Sequence, residues 1–143
     1  MYLKKLPLLL LAAASLLLSS SFKKQPMTAN EIASFSISLK VKDIAASKQF
    51  YEKLGFEQIP GAGGVDQKWM VMKNGAAKVG LFQGMFPQNT ITINPTDARS
   101  IYKTLTETGI DITFTNGMDN EKGPASFALV DPDGNPILFD QHQ

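Results

Sequence analysis

The chain contains a twenty-residue repeat, and this repeat constrains the fold more than any other feature of the sequence. Residues 37–56 read ISLKVKDIAASKQFYEKLGF, and residues 91–110 read ITINPTDARSIYKTLTETGI, with no gap between the copies when they are aligned. Each copy begins with a strand-like stretch, reaches an Asp and ends on a Gly. A chain that encodes one strand–helix unit twice is expected to build two related halves with a cleft between them.

The first copy and its continuation predict a strand, a helix and three further strands. Asp43 is a favourable N-cap for a helix over residues 44–54, and Gly55 supplies its left-handed stop. We expect Phe50, Tyr51 and Leu54 to pack this helix on the sheet. The other predicted elements are a strand over 35–41, a strand over 56–59, a flexible loop over 60–64, a strand over 68–72, a hairpin turn at Asn74-Gly75 and a strand over 77–82.

The second half of the sequence repeats this order. Pro95 suits the entrance of a helix that begins near Asp97 and ends before Gly109. The other predicted elements are strands over 90–94 and 110–114, a polar loop over 115–124, and a final hairpin of 125–130 and 136–140 across 131–135. Each half therefore reads β-α-β-β-β, which places the chain in the α+β class.

Composition excludes several kinds of function. The 143 residues suffice for one domain with a core, and a net charge of +1 gives no support for a nucleic-acid partner. No cysteine is present, so disulfides, thiolate metal sites and cysteine nucleophiles are excluded. The only histidine of the chain is His142. Metal chemistry that needs two imidazoles is therefore excluded within one chain.

The N-terminus has the pattern of a secretory signal peptide. Lys4 and Lys5 precede an apolar run over residues 6–18 and small residues at 19–21. The run is shorter than the roughly 20 residues of a membrane span, so no stable membrane insertion is expected after cleavage. We predict a signal peptide over 1–21, a polar linker over 22–34 and export to the periplasm or medium. The alternative is a cytoplasmic protein whose translation starts at Met27.

Two strings in the sequence resemble the glyoxalase/bleomycin-resistance/dioxygenase family, also called the vicinal oxygen chelate superfamily. They are SKQFYEKLGF over residues 47–56, entered through Val41-Lys42-Asp43, and DPDGNP over residues 131–136. The resemblance covers residues 35–141. It implies two βαβββ modules, over 35–85 and 89–141, that form a curved sheet lining a cleft. It also implies a homodimer, because such modules commonly pair within or between chains.

The resemblance indicates where catalytic relatives hold a divalent metal through His and Glu side chains. The corresponding positions are Ser36 on the first strand, Thr90 on its repeat mate and Leu138 on the last strand. The fourth position lies near Val79 or Leu81. Neutral hydroxyls and a leucine are poor metal ligands. We therefore expect no metal, no cofactor and no catalytic residue.

What remains is a cleft with polar groups on an apolar background. Alternation places the side chains of the first strand and its repeat mate on two faces, with the apolar face expected to meet the helices. A few polar groups in an apolar concavity are typical of a small-molecule site. The candidate ligand-binding residues are Ser36, Ser38, Lys40, Trp69, Phe82, Thr90, Thr92, Phe127 and Leu138.

Three hypotheses follow for the function. The first is a metal-free protein that binds a small molecule, similar to the drug-sequestering branch of the family. The second is a lyase or dioxygenase-type enzyme with a non-standard metal site. The third is an interaction module whose cleft is filled by its own side chains.

Overall fold

The computed structural model describes residues 32–143, so the predicted signal peptide and most of the predicted linker lie outside the described residues. Two helices and eight strands occur in this part of the chain. In order they are β1 Ile32–Val41, α1 Ile44–Lys53, β2 Glu57–Gly64, β3 Trp69–Asn74, β4 Ala77–Gln83, β5 Thr90–Pro95, α2 Ala98–Glu107, β6 Phe114–Asn116, β7 Ala125–Val130 and β8 Pro136–Gln141.

All eight strands join in one sheet with the order β2-β3-β4-β1-β5-β8-β7-β6. The first strands of the two modules, β1 and β5, pair antiparallel at its centre. On either side, β1 runs parallel to β4 and β5 runs parallel to β8. The predicted α+β fold of two βαβββ modules is therefore confirmed, and the central pair makes the two half-sheets continuous.

The predicted N-caps form in both modules. Asp43 Oδ1 accepts a hydrogen bond from the backbone N–H of Ala46 at 3.0 Å, and Asp97 Oδ1 accepts one from Ser100 at 2.9 Å. Each bond satisfies a donor of the first helical turn that has no partner within the helix. The aspartates of the repeat therefore fix where both helices begin.

A second pair of caps was not predicted from the sequence. Gln83 at the end of β4 accepts a hydrogen bond through Oε1 from the N–H of Ile44, at 3.0 Å. Gln141 at the end of β8 accepts the equivalent bond from Ala98, at 2.8 Å. In each module the last strand is thus tied to the start of its helix, which fixes the helix over the sheet.

Each module has its own core between its helix and its half of the sheet. The core of module one consists of Ile44, Met70, Met72, Val79 and Leu81. The core of module two consists of Ala98, Ile101, Ala125, Phe127, Leu129 and Phe139. The opposite face of the sheet carries no helix and is open for a cleft.

Two predictions about packing on the helix side are wrong. Phe50 and Leu54 are 57% and 54% exposed, because α1 contacts the sheet through Ile44 and Tyr51 and carries those two residues on its flank. Phe35 and Ile37 of the central strand are 60% and 38% exposed. The helices pack over strands beside the central pair, α1 on β4 and α2 on β7 and β8, and so leave Phe35 and Ile37 uncovered.

In module one, the region predicted as a flexible loop, residues 60–64, belongs to β2. It pairs with β3 after an irregularity between Gln58 and Gly63, which the Gln58 side chain bridges by donating to the Gly63 carbonyl at 2.6 Å. The hairpin that follows turns at Gly75-Ala76, one residue later than predicted, since Asn74 already pairs with Ala77.

In module two, the strand predicted over 110–114 begins only at Phe114. The N–H of Ile110 instead bonds to the Leu105 carbonyl and closes α2. In the part of the chain that the structure describes, no helix is long and apolar enough to cross a membrane.

Candidate ligand-binding cleft

The helix-free face of the sheet encloses a cleft of about 810 Å³. Both modules contribute to its lining, and the central strands β1 and β5 form its floor. A volume of this size is within the usual range for sites that hold a small organic molecule.

Most of the residues predicted to bind a ligand lie in this cleft. Its lining includes Ser36, Ser38, Trp69, Phe82, Thr92 and Leu138. Their placement follows from strand alternation, because neighbouring residues such as Met70, Val79 and Leu81 point to the helix side. Whether these residues bind a ligand stays a prediction.

Lys40 and Thr90 lie outside the cleft lining. The ammonium group of Lys40 is exposed and donates to the carbonyl of Pro87 at 3.0 Å. The hydroxyl of Thr90 donates to the carbonyl of Gln88 at 3.3 Å. Both side chains thus hold the connection between the modules, at the end of the central strands.

Phe127 does not belong to the cleft, and its inclusion in the candidate site is corrected. Its side chain is fully buried on the helix side, stacked on Phe139 with ring centroids 4.6 Å apart and in edge contact with Tyr102. The register explains the error: Ala128 pairs with the cleft residue Leu138, so Phe127 faces the helix.

The floor of the cleft carries a pair of hydroxyl groups. Ser38 Oγ and Thr92 Oγ1 lie 2.7 Å apart in a hydrogen bond, and the two residues are only 3% and 6% exposed. They are matched positions of the repeat. Ser36 lies beside them as the cross-strand partner of Thr92.

One side of the cleft is an aromatic wall formed by Trp69, Phe82 and Phe86. Trp69 and Phe82 are cross-strand partners whose rings are nearly parallel, with planes 7° apart and centroids separated by 6.3 Å. Phe86 meets Phe82 edge-on at 4.8 Å. Such a wall offers flat π surface to a planar ligand.

Two glycines make room for this wall. A Cβ atom at Gly80 would lie 2.5 Å from Phe82 Cε2, so the Phe82 ring occupies the space of a side chain at position 80. A Cβ atom at Gly63 would lie 2.2 Å from the backbone carbonyl oxygen of Trp69 and 2.8 Å from its indole ring. Neither glycine was recognised from the sequence. A signal for Gly80 exists, because it stands three residues before the capping Gln83, as Leu138 stands three residues before the capping Gln141.

The far end of the cleft is polar. Asn94 accepts from Ser34 Oγ at 3.0 Å and donates through Nδ2 to the Asp140 carbonyl at 2.9 Å. The same Nδ2 lies 3.2 Å from His142 Nε2. The Asp140 carboxylate is 3.8 Å from that imidazole.

The residues at the positions where the resemblance implies a metal do not fit one. They are Ser36, Thr90 and Leu138, and the register assigns the fourth position to Gly80 rather than to Val79 or Leu81. Among residues 32–143 no three His, Cys, Asp or Glu side chains come close enough together to hold an ion. Neutral hydroxyls and a glycine supply too little charge for a divalent ion.

Comparison with family models shows to which superfamily the chain belongs. The family model described as the glyoxalase/bleomycin resistance protein/dioxygenase superfamily matches residues 32–139. The chain belongs to this superfamily. The structure agrees with this assignment, because its sheet contains the two paired modules that the resemblance implied. No curated protein sequence gives a significant match.

Solved structures share the fold at low sequence identity. A structure titled NAD-dependent benzaldehyde dehydrogenase from Legionella pneumophila is 17% identical, with a TM-score of 0.60 over 76% of this chain and 99% of that one. Methylmalonyl-CoA epimerase from Mycobacterium tuberculosis is 11% identical, with a TM-score of 0.58 over 84% and 95%. A superfamily member from Vibrio splendidus 12B01 is 18% identical, with a TM-score of 0.55 over 75% and 97%. At these identities the likeness establishes the fold alone.

Proposed function

We propose that this protein binds a small planar aromatic molecule in the cleft, without the metal that catalytic members of the superfamily use. The observation that carries the proposal is the parallel pair of Trp69 and Phe82, which borders a cleft of about 810 Å³. Stacking on such rings favours flat ligands.

The residue types in the cleft support the metal-free part of the proposal. The two hydroxyls nearest the centre, on Ser38 and Thr92, bond to each other instead of converging on an ion. Position 80 carries no side chain, and the Phe82 ring fills its space. The cleft can therefore stack a flat ring and hydrogen-bond its polar atoms, but it offers no general acid or base at its centre.

Export and homodimer formation remain proposals that go with this function. The N-terminal pattern over residues 1–21 supports export of the mature domain. An exported binding protein would meet its ligand outside the cytoplasm.

The proposal can be tested through the single tryptophan of the chain, which lies in the cleft. We expect anthracene-2-sulfonate, a flat and water-soluble probe, to quench Trp69 fluorescence in a saturable manner. Phe82→Leu removes one ring of the wall and should weaken binding about fivefold, the equivalent of roughly 1 kcal/mol of aromatic contact. The matched control is Phe50→Leu, which changes an exposed ring on α1 and should leave the affinity unchanged. Equal affinities in both variants, or no quenching of the wild type, would contradict the proposal.

A further inference from the structure

The hydroxyl groups at the cleft floor contain more donors than the protein uses. Ser38 and Thr92 carry one O–H each, and the 2.7 Å bond between them uses only one of these two protons. No other described side chain or backbone group bonds to either oxygen. Whichever residue donates in the pair, the other one has an O–H without a protein partner.

Ser36 adds a second unused donor next to this pair. It is 9% exposed, lines the cleft and stands directly across the strand from Thr92. Its repeat mate Thr90 differs, because that hydroxyl is already bonded to the Gln88 carbonyl. The unused donors are therefore confined to one place on the floor, formed by Ser36, Ser38 and Thr92, which we name the hydroxyl triad.

A hydroxyl that lacks an acceptor within the protein bonds either to water in the cleft or to a bound molecule that supplies one. The group that satisfies two neighbouring neutral O–H donors is an oxygen with two lone pairs, such as a carbonyl. Lys78 also lines the cleft and stands beside Ser36, because it directly precedes Val79, the strand partner of Ile37. With O–H donors and an ammonium group at this place, an oxygen acceptor suits the site and a cation does not.

The triad lies within reach of a ligand that stacks on the aromatic wall. Ser38 is the strand partner of Gly80, and Gly80 stands two residues before Phe82 on the neighbouring strand. With a strand spacing of about 4.8 Å and a rise of about 3.3 Å per residue, the backbones of Ser38 and Phe82 are about 8 Å apart, and the Phe82 ring lies closer to Ser38 because it folds over Gly80. A fused three-ring aromatic molecule spans this distance.

We propose that the hydroxyl triad is a subsite that donates hydrogen bonds to a ring carbonyl of the bound ligand. The ligand class is then a planar aromatic ketone or quinone, rather than a plain aromatic hydrocarbon. This inference rests on the proposed function, since the same ligand must stack on Trp69 and Phe82.

The test compares two probes that differ only in their ring carbonyls, anthraquinone-2-sulfonate and anthracene-2-sulfonate, titrated against Trp69 fluorescence. We expect wild-type protein to bind the quinone at least fivefold more tightly. Ser36→Ala, Ser38→Ala and Thr92→Val together remove all three hydroxyls and should abolish this preference, whereas Thr92→Val alone would free the O–H of Ser38 and leave two donors. Thr106→Val, which removes a hydroxyl on the exposed face of α2, is the matched control and should retain the preference.

A second variant guards against loss of folding. Ser38→Ala with Thr92→Val removes both members of the bonded pair and leaves Ser36 as the one donor, so it should keep part of the preference, and its thermal unfolding can be compared with wild type. Equal binding of the two probes by wild type, or a quinone preference that survives in the variant that lacks all three hydroxyls, would overturn the subsite and leave the proposed function standing. Failure of both probes to quench would overturn the proposed function and the subsite together.

Discussion

At the scale of single residues, Gly80 determines the shape of the cleft. Its backbone lies outside the left-handed region, so the glycine is required for space and not for conformation. Gly80→Ala would bring a methyl group to within 2.5 Å of Phe82 and force that ring away from its position parallel to Trp69. We expect a changed Trp69 emission spectrum and about fivefold weaker binding of anthracene-2-sulfonate, measured by fluorescence.

A double-variant cycle separates this effect from general destabilisation. If Gly80 acts through the Phe82 ring, Gly80→Ala should have no further effect on affinity in a Phe82→Ala background. Gly64→Ala is the matched control, because its new Cβ would meet mainly the end of the flexible Gln67 side chain. Additive losses in the cycle would show that Gly80 does not act through Phe82.

At the scale of elements, each last strand holds its helix through a glutamine. Gln83→Ala and Gln141→Ala should each lower the free energy of unfolding by about 1 kcal/mol, since the N–H of Ile44 or Ala98 loses its acceptor. Urea denaturation measures this change. Gln49→Ala, on the exposed side of α1, should be nearly neutral, and equal losses at Gln49 and Gln83 would refute the capping role.

The turn between β7 and β8 makes a contribution to folding stability that depends on pH. Hydrogen bonds from the Asn135 side chain and backbone, and then from the backbone of Asp133, lower the pKa of Asp131 below its ordinary value. Because the pKa of Asp131 is lower in the folded protein than in the unfolded chain, its carboxylate stabilises the fold at pH values above the pKa of the unfolded chain. This stabilisation is lost as the pH falls through the pKa of the folded protein. Asp131→Asn should therefore reduce the acid sensitivity of the thermal midpoint below pH about 4. Asp66→Asn, in an exposed turn, is the control and should keep the pH dependence of wild type. The same pH dependence of the thermal midpoint in Asp131→Asn as in wild type would contradict the role of Asp131.

The sequence predicted most elements because their signals are local. Asp43 and Asp97 cap their helices through bonds within one turn of the chain. Alternation placed Ser36, Ser38 and Thr92 on the cleft face. The errors came from long-range pairing. Residues 60–64 contain three glycines that favour a loop, yet pairing with β3 holds the ends of this stretch in the sheet. Ile110 was assigned to a strand because nothing in its neighbourhood shows that it closes α2.

At the scale of the whole molecule, the repeat predicted two modules and a cleft but not the register across it. Leu138 could be placed from its turn, whereas Gly80 follows only from the pairing of β4 with β1. The side of the sheet that Phe127 faces likewise depends on its pairing with β8. The contact between Trp69 and Phe82 joins residues 13 positions apart in sequence through a hairpin, and no local pattern shows that their rings lie parallel.

The central claim is that the cleft binds flat aromatic ligands without a metal. The most direct measurement is a titration of Trp69 fluorescence with anthracene-2-sulfonate, before and after exhaustive treatment of the purified protein with a chelator. We predict saturable quenching with the same affinity in both samples. An absence of quenching, or binding that disappears with the chelator and returns when a divalent metal is added, would contradict the claim.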